Sequence, residues 1–330
     1  MSEQITGELN KKVDLLALLP CPIKVPLQME FENYFKGLNQ EGGLNCIIEA
    51  NANNQLNYNK TVEEYTDVDE IPDITITSGV NSFYYKGFRD KFVSKGYFYD
   101  ATSDESNSDL IKYGIKDPDG NYTIISMNLL VLVVNLKLLG DINPPATWGD
   151  LLKPEFQNKV ALRGHDNSFC ETTLLTIYKN YGYEGIKQLG KAVRYGWHPS
   201  QMVKAAIRGG VDDPAISIIP YFFTSTLKNK KGIQIIWPKD GAIVSPVTMM
   251  VKKSSKERME KIINFFTGVE VGNIFSGAFF PSLNPKANNE LPEDVSLNWL
   301  GWDFIKENDL GELIKELNNV FFKAFRGDEL

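Results

Sequence analysis

Cys21, His165 and Cys170 are the side chains with the sharpest chemistry in this sequence. Two thiolates and an imidazole suit a soft or borderline metal ion, and the two cysteines could equally close as a redox-dependent lock. Their spacing matches no metal motif. The three cysteines, an odd number, do not make a fully paired disulfide framework. Around them stand groups able to hold a ligand without breaking a bond: Lys24, Ser78, Gly79, Asn167, Ser168 and Tyr221. Several have plainer structural readings: Cys21 suits a buried turn, Ser168 a helix N-cap, His165 a solvated loop and Lys24 a surface charge. The sequence carries no nucleophile–base–orienter set, glycine-rich phosphate loop or metalloprotease helix. His198, between Trp197 and Pro199, reads as a turn residue, and the chain reads as non-catalytic.

The elements that must position these groups alternate between strand and helix. Residues 13–19 read as a strand ending at Pro20-Cys21-Pro22, with a helix over 25–35. Residues 73–77 alternate polar and apolar side chains, as a strand does, and stop at Ser78-Gly79. The stretch 83–98 is aromatic at roughly helical spacing and reads as core packing. Residues 127–134 are nearly continuous in apolar residues, which suits a strand buried on both faces. Thr147 can cap a short helix through Asp150, with Pro154 beyond its end, before a strand over 159–162. A polar loop from Arg163 to Cys170 leads into a helix over 171–181, stopped by Gly182. Ser200 can cap a helix to Arg208. The strand over 215–219 runs into Pro220-Tyr221, and a capping box at 254–257 precedes an amphipathic helix ending near Phe266.

The bulk composition excludes other classes. With 330 residues, 42% of them hydrophobic, the chain can build two lobes with full cores. A net charge of −7 offers no basic face for a phosphodiester backbone, so nucleic acid is not an expected partner. No apolar run is long enough to span a bilayer. Lys11-Lys12, the apolar run after them and Cys21 imitate a lipoprotein signal. Asp14 interrupts that run, however, and Pro20 sits where a small residue should precede the cysteine. The expected location is therefore periplasmic or extracytoplasmic if a leader was removed, and cytoplasmic otherwise.

The phrase Pro145-Ala146-Thr147-Trp148-Gly149-Asp150-Leu151-Leu152-Lys153-Pro154-Glu155-Phe156, closing on Lys159-Val160, resembles the inter-lobe crossover of type II solute-binding proteins of ABC importers, iron(III)-type branch. Pro238-Lys239-Asp240-Gly241 through Pro246 is similar to that family's return crossing. The resemblance implies an α/β, two-lobed periplasmic-binding-protein-like II fold, each lobe a mixed sheet flanked by helices and joined by crossing strands. It places residues 1–133 and 245–330 in lobe 1, with the helical tail wrapping it, and 134–244 in lobe 2. It implies capture of a small polar or anionic ligand or metal complex for an ABC permease by a monomer. Cys21, Lys24, Ser78, Gly79, His165, Asn167, Ser168, Cys170 and Tyr221 would face the cleft. No certain cofactor is implied beyond a metal ion or anion bound as ligand, for which Cys21, His165, Cys170 and Tyr221 are the candidate metal ligands. Iron-binding members place adjacent tyrosines at Tyr221. Here Phe222 and Phe223 follow and cannot coordinate a metal, so tyrosinate-type iron(III) binding is not expected. The alternatives are a cytoplasmic ligand or metal/redox sensor on the same fold and, further off, a small-molecule transferase.

Overall fold

The computed structural model describes residues 12–36, 43–51, 58–102, 105–165 and 168–327. The chain divides into two compact units, Met1–Met127 with Pro246–Glu290 and Asn128–Ser245 with Leu291–Leu330. Unit 1 opens with β1 (Leu15–Leu19), α1 (Cys21–Tyr34), β2 (Cys46–Ala50) and β3 (Ile74–Ser78), and β4 (Thr123–Asn135) leads out of it. Unit 2 continues with α2 (Trp148–Leu151), β5 (Val160–Leu162), β6 (Gly164–His165), β7 (Ser168–Phe169), α3 (Glu171–Ala192), β8 (Val193–Gly196), α4 (Pro199–Arg208), β9 (Ile216–Pro220) and β10 (Ile233–Ile236). Strand β11 (Ala242–Val251) leads back to unit 1, which ends with α5 (Glu260–Thr267) and α6 (Val269–Gly277). The chain closes in unit 2 with β12 (Leu297–Asn298), α7 (Trp302–Glu307) and α8 (Leu310–Arg326).

In unit 1 the order is β2-β1-β3-β11. Strands β2, β1 and β3 are parallel, with Leu15 opposite both Cys46 and Ile74. The second half of β11 runs antiparallel to β3, from Val247 opposite Ser78 to Val251 opposite Ile74. All five residues of β1 are buried, as expected of a parallel strand covered on both faces. In unit 2, β5 pairs in parallel with both β8 and β9, and β9 and β10 run antiparallel to the second half of β4. Within each unit the parallel strands therefore end on one edge. In unit 1 that edge carries Leu19, Ala50 and Ser78; in unit 2 it carries Leu162, Gly196 and Pro220. Ligands of open α/β sheets bind outside such carboxyl ends.

The two crossover phrases meet inside unit 2. Thr147 and Asp150 form a capping box around α2. The Trp148 amide donates to both carboxylate oxygens of Asp240, at 3.1 and 3.0 Å, and its indole Nε1 donates to the Gly241 carbonyl at 2.8 Å. Asp240 thus supplies an anion to the first turn of α2, where free N–H groups favour one. Tyr181 donates its hydroxyl to the same carboxylate at 2.9 Å, and burial, then that bond, push its pKa up to about 12.

Two expectations change. Residues 291–330 pack in unit 2, whereas the tail was expected on lobe 1. The cause is the apolar stripe of α8 (Leu310, Leu313, Ile314, Leu317, Phe321, Ala324), which is buried where α8 packs along α3. The capping box at 254–257 does not form: Lys253–Ser255 is a 3-10 turn, and Met259 precedes α5 without a side-chain cap. The aromatic stretch 83–98 forms a 3-10 turn, Ser82–Tyr84, and a contiguous helical run whose α turn, Lys86–Phe88, passes into a π turn, Arg89–Val93. Its packing role holds, because Phe83, Tyr84, Phe88, Phe92 and Phe98 are all buried.

Candidate functional site

Unit 1 brings Cys21, Lys24, Ser78 and Gly79 to the end of its parallel strands. Proline fixes this corner. Pro20 precedes α1, and its carbonyl accepts from the amides of Ile23 and Lys24 at 2.8 and 3.1 Å. Cys21, the first helical residue, is exposed rather than buried in a turn. Lys24 is half-buried one turn on, and its ammonium forms no ion pair among the described residues. Gly79 donates its amide to the Pro246 carbonyl at 2.7 Å, which ties the end of β3 to β11. The Ser78 hydroxyl is shielded from solvent and has no hydrogen-bond partner among the described residues. Most such buried hydroxyls are satisfied, so this group is one a bound acceptor or donor would complete.

Unit 2 gathers His165, Ser168, Cys170 and Tyr221 on its own strand edge; Asn167 lies outside the described residues. β6 and β7 form a small hairpin in which His165 is opposite Ser168. His165 is exposed and Ser168 is half-buried. The N-cap of α3 is Cys170, not Ser168, and its side chain makes no capping bond. The Cys170 amide donates to the Arg163 carbonyl at 2.9 Å, closing the base of the hairpin. Tyr221 is 7% exposed, and its ring meets Trp237 edge-on at 5.3 Å.

Three residues not singled out as binding candidates share that edge. Arg163 follows β5 directly, is exposed, and has no ion-pair partner among the described residues. Trp197 follows β8, donates its amide to the Leu162 carbonyl at 3.0 Å, and stacks on Tyr195 at 4.3 Å with an 8° tilt. His198 caps α4, the role expected of Ser200. Its Nδ1 accepts from the Ser200 amide at 3.2 Å and lies 2.8 Å from the Ser200 hydroxyl. Burial, then the charge of Arg163, lower its pKa. Arg163 was accessible to sequence reasoning, since a charged residue directly after a strand opens the ligand loop. The closeness of residues 162–163 to 197–198 depends on β5–β8 pairing, which local pattern does not encode.

The metal set does not assemble within a unit. Cys21 belongs to unit 1, and His165, Cys170 and Tyr221 to unit 2. Among the described residues, no three His, Cys, Asp or Glu side chains are grouped so as to hold a metal ion. At Cys46, the third cysteine, burial, then Asp14, push the thiol up to about 11, which disfavours the thiolate a metal would need.

Each of the two α/β units has parallel strands that end on one edge, and two strands, β4 and β11, carry the chain from one unit to the other. Residues 69–308 match the family model described as bacterial extracellular solute-binding protein, and the chain belongs to that family. The crossover phrases at residues 145–160 and 238–246 lie within the matched region. It is 24% identical over 164 residues to spermidine/putrescine-binding periplasmic protein 1 of Haemophilus influenzae; the match covers 46% of this chain and only 44% of that relative. Among solved structures, the ferric binding protein from Campylobacter jejuni superposes with a TM-score of 0.61 at 16% identity, over 94% of this chain and 99% of the other. The periplasmic binding protein AfuA from Actinobacillus pleuropneumoniae, with fructose-6-phosphate bound, gives 0.62 at 15% identity, over 96% and 98%. Trichodesmium IdiA (FutA) in complex with iron and citrate gives 0.63 at 13% identity, over 94% and 99%. Among the described residues no helix is long and apolar enough to cross a membrane.

Proposed function

We propose that this chain captures a small anionic solute, a phosphorylated or carboxylate compound or its metal complex, and delivers it chemically unchanged to an ABC permease as an extracytoplasmic monomer. The observation that carries the reading is Arg163, an exposed guanidinium with no ion-pair partner among the described residues, at the end of β5 in the loop that opens α3. A planar guanidinium matches carboxylate and phosphate oxygens in pairs. Ser168, Cys170, His165 and Tyr221 on the same edge, and Cys21, Lys24, Ser78 and Gly79 in unit 1, complete the proposed contacts. AfuA with its sugar phosphate and FutA with iron and citrate support an anionic class for this fold.

A cationic ligand is the second reading. The Tyr195 ring already carries the Arg194 guanidinium 5.1 Å from its centroid, and Trp197 stacks beside it. The partial match to a spermidine/putrescine-binding protein favours this reading.

A thermal-shift titration separates the two. Inorganic phosphate, citrate or fructose-6-phosphate should raise the melting temperature with the logarithm of concentration. Arg163→Gln should weaken the best of these by about 10- to 100-fold, as loss of a charged hydrogen bond does, while leaving the ligand-free melting temperature unchanged. A shift with putrescine or spermidine alone, indifferent to Arg163→Gln, would assign the cationic class instead.

A further inference from the structure

The hairpin that bears His165 and Ser168 is anchored to an element outside it. Its anchor is Phe169, the last residue of β7, which is 3% exposed. The Phe169 ring inserts among three phenylalanines of α8, with centroids 4.5 Å from Phe321 and 5.4 Å from both Phe322 and Phe325. Its amide points at Asn318 Oδ1, a long contact of 3.4 Å, and the Asn318 amide nitrogen is fixed by the Ile314 carbonyl at 3.0 Å. The other side of the ring lies against two glycines. A Cβ built on Gly164 would meet the ring at 2.4 Å, and one on Gly196 at 2.9 Å, so both positions must lack a side chain for the ring to seat.

We infer that α8 is the positioning element of the ligand loop: Phe169, clasped by the C-terminal helix, sets where Arg163, His165, Ser168 and Cys170 stand. Phe169 touches no ligand in this account; it acts through the residues on either side of it. The chain of contacts is short. Phe169 fixes β7, the β6–β7 pair fixes Gly164, and the bond from the Cys170 amide to the Arg163 carbonyl closes the loop into α3. A helix some 150 residues further along the chain thereby controls the geometry of the loop. The inference rests on the proposed function only for what the loop binds; the clasp itself is independent of it.

The test reads the loop without any ligand. Phe169→Ala and Phe325→Ala are compared with wild type by hydrogen exchange and by iodoacetamide alkylation of Cys170, followed by peptide mass. The expected result is a rise of about tenfold in Cys170 alkylation and in exchange at the start of α3, with α4 retaining its wild-type exchange. Phe325→Leu should restore much of the protection. If Phe169→Ala fails to fold, Phe325→Ala decides, because it leaves the hairpin sequence intact. Unchanged Cys170 reactivity and exchange in Phe325→Ala would overturn the inference, as would a rise shared equally by α4. Neither outcome depends on Arg163→Gln, so the clasp and the anionic reading fail separately.

Discussion

Replacing Asp73 with alanine is expected to destabilise the protein by about 3–5 kcal/mol, the cost of leaving a buried charge without its partner. Asp73 and Lys252 are each 1% exposed, and the Lys252 ammonium lies 3.6 Å from the Asp73 carboxylate. Arg258 bonds the same carboxylate and donates to Asp14 at 2.6 Å, while Lys12 approaches Asp73 at 3.4 Å from the surface. These groups tie the start of β1, the start of β3 and the residue after β11 together, at the opposite ends of β1 and β3 from the proposed ligand contacts. Urea unfolding should show the midpoint falling steeply for Asp73→Ala. Asp73→Leu combined with Lys252→Met should recover much of the loss, because apolar side chains of similar volume replace such pairs well. A midpoint within experimental scatter of wild type for Asp73→Ala would show that Lys252 finds another partner. The same lysine gives a pH signature. Burial, then the Lys12 charge, pull its pKa down to about 8 from 10.5. The unfolded chain therefore holds this proton up to about pH 10.5 while the folded chain releases it near pH 8. Stability from this group rises with pH across that window. Wild type should gain on Lys252→Met between pH 8 and 10 by an amount on the order of 1–3 kcal/mol, read as the difference between their urea midpoints. A flat difference would contradict the burial effect.

Trp148→Ala is the second large effect, at about 3–5 kcal/mol for a buried tryptophan. The side chain is fully buried, and the indole bond to Gly241 is lost with it. Trp148→Phe divides the two contributions: it keeps most of the apolar volume and should cost about 1–2 kcal/mol plus a modest cavity term. Thermal unfolding of both variants checks this. Equal losses for Ala and Phe would mean that the hydrogen bond, not the bulk, holds the crossover phrases together.

Particular residues show how much of this was legible in the sequence. The continuous apolar run of β4 and the Pro-Ala-Thr-Trp phrase identified the crossing strand and the fold, because a strand covered on both faces cannot carry polar alternation. Thr147 and Asp150 announced their own capping box, a local device. Pairing across the chain was not legible. The meeting of Trp148 with Asp240, the clasp of Phe169 by α8 and the neighbourhood of Arg163 and His198 each join residues far apart in sequence. The tail was misplaced for the same reason: the stripe on α8 shows that it packs, not what it packs against. The capping box at 254–257 failed because a local signal yielded to a 3-10 turn at the end of β11. Among the candidate contacts, strand ends were readable from where the apolar patterns stop, which located Ser78, Gly79 and Tyr221. Burial of individual side chains was not: for Cys21 a buried turn and a cleft-facing contact were both open, and it is exposed.

The central claim is that this protein holds a small solute and does not transform it. Native mass spectrometry tests it most directly, after incubation with a defined pool of inorganic phosphate, citrate, sugar phosphates, ferric citrate, putrescine and spermidine. The account predicts one anionic ligand per protein chain, recovered with its mass unchanged after denaturation, and reduced occupancy in Arg163→Gln. Steady loss of one pool member with the appearance of a product of different mass would contradict it.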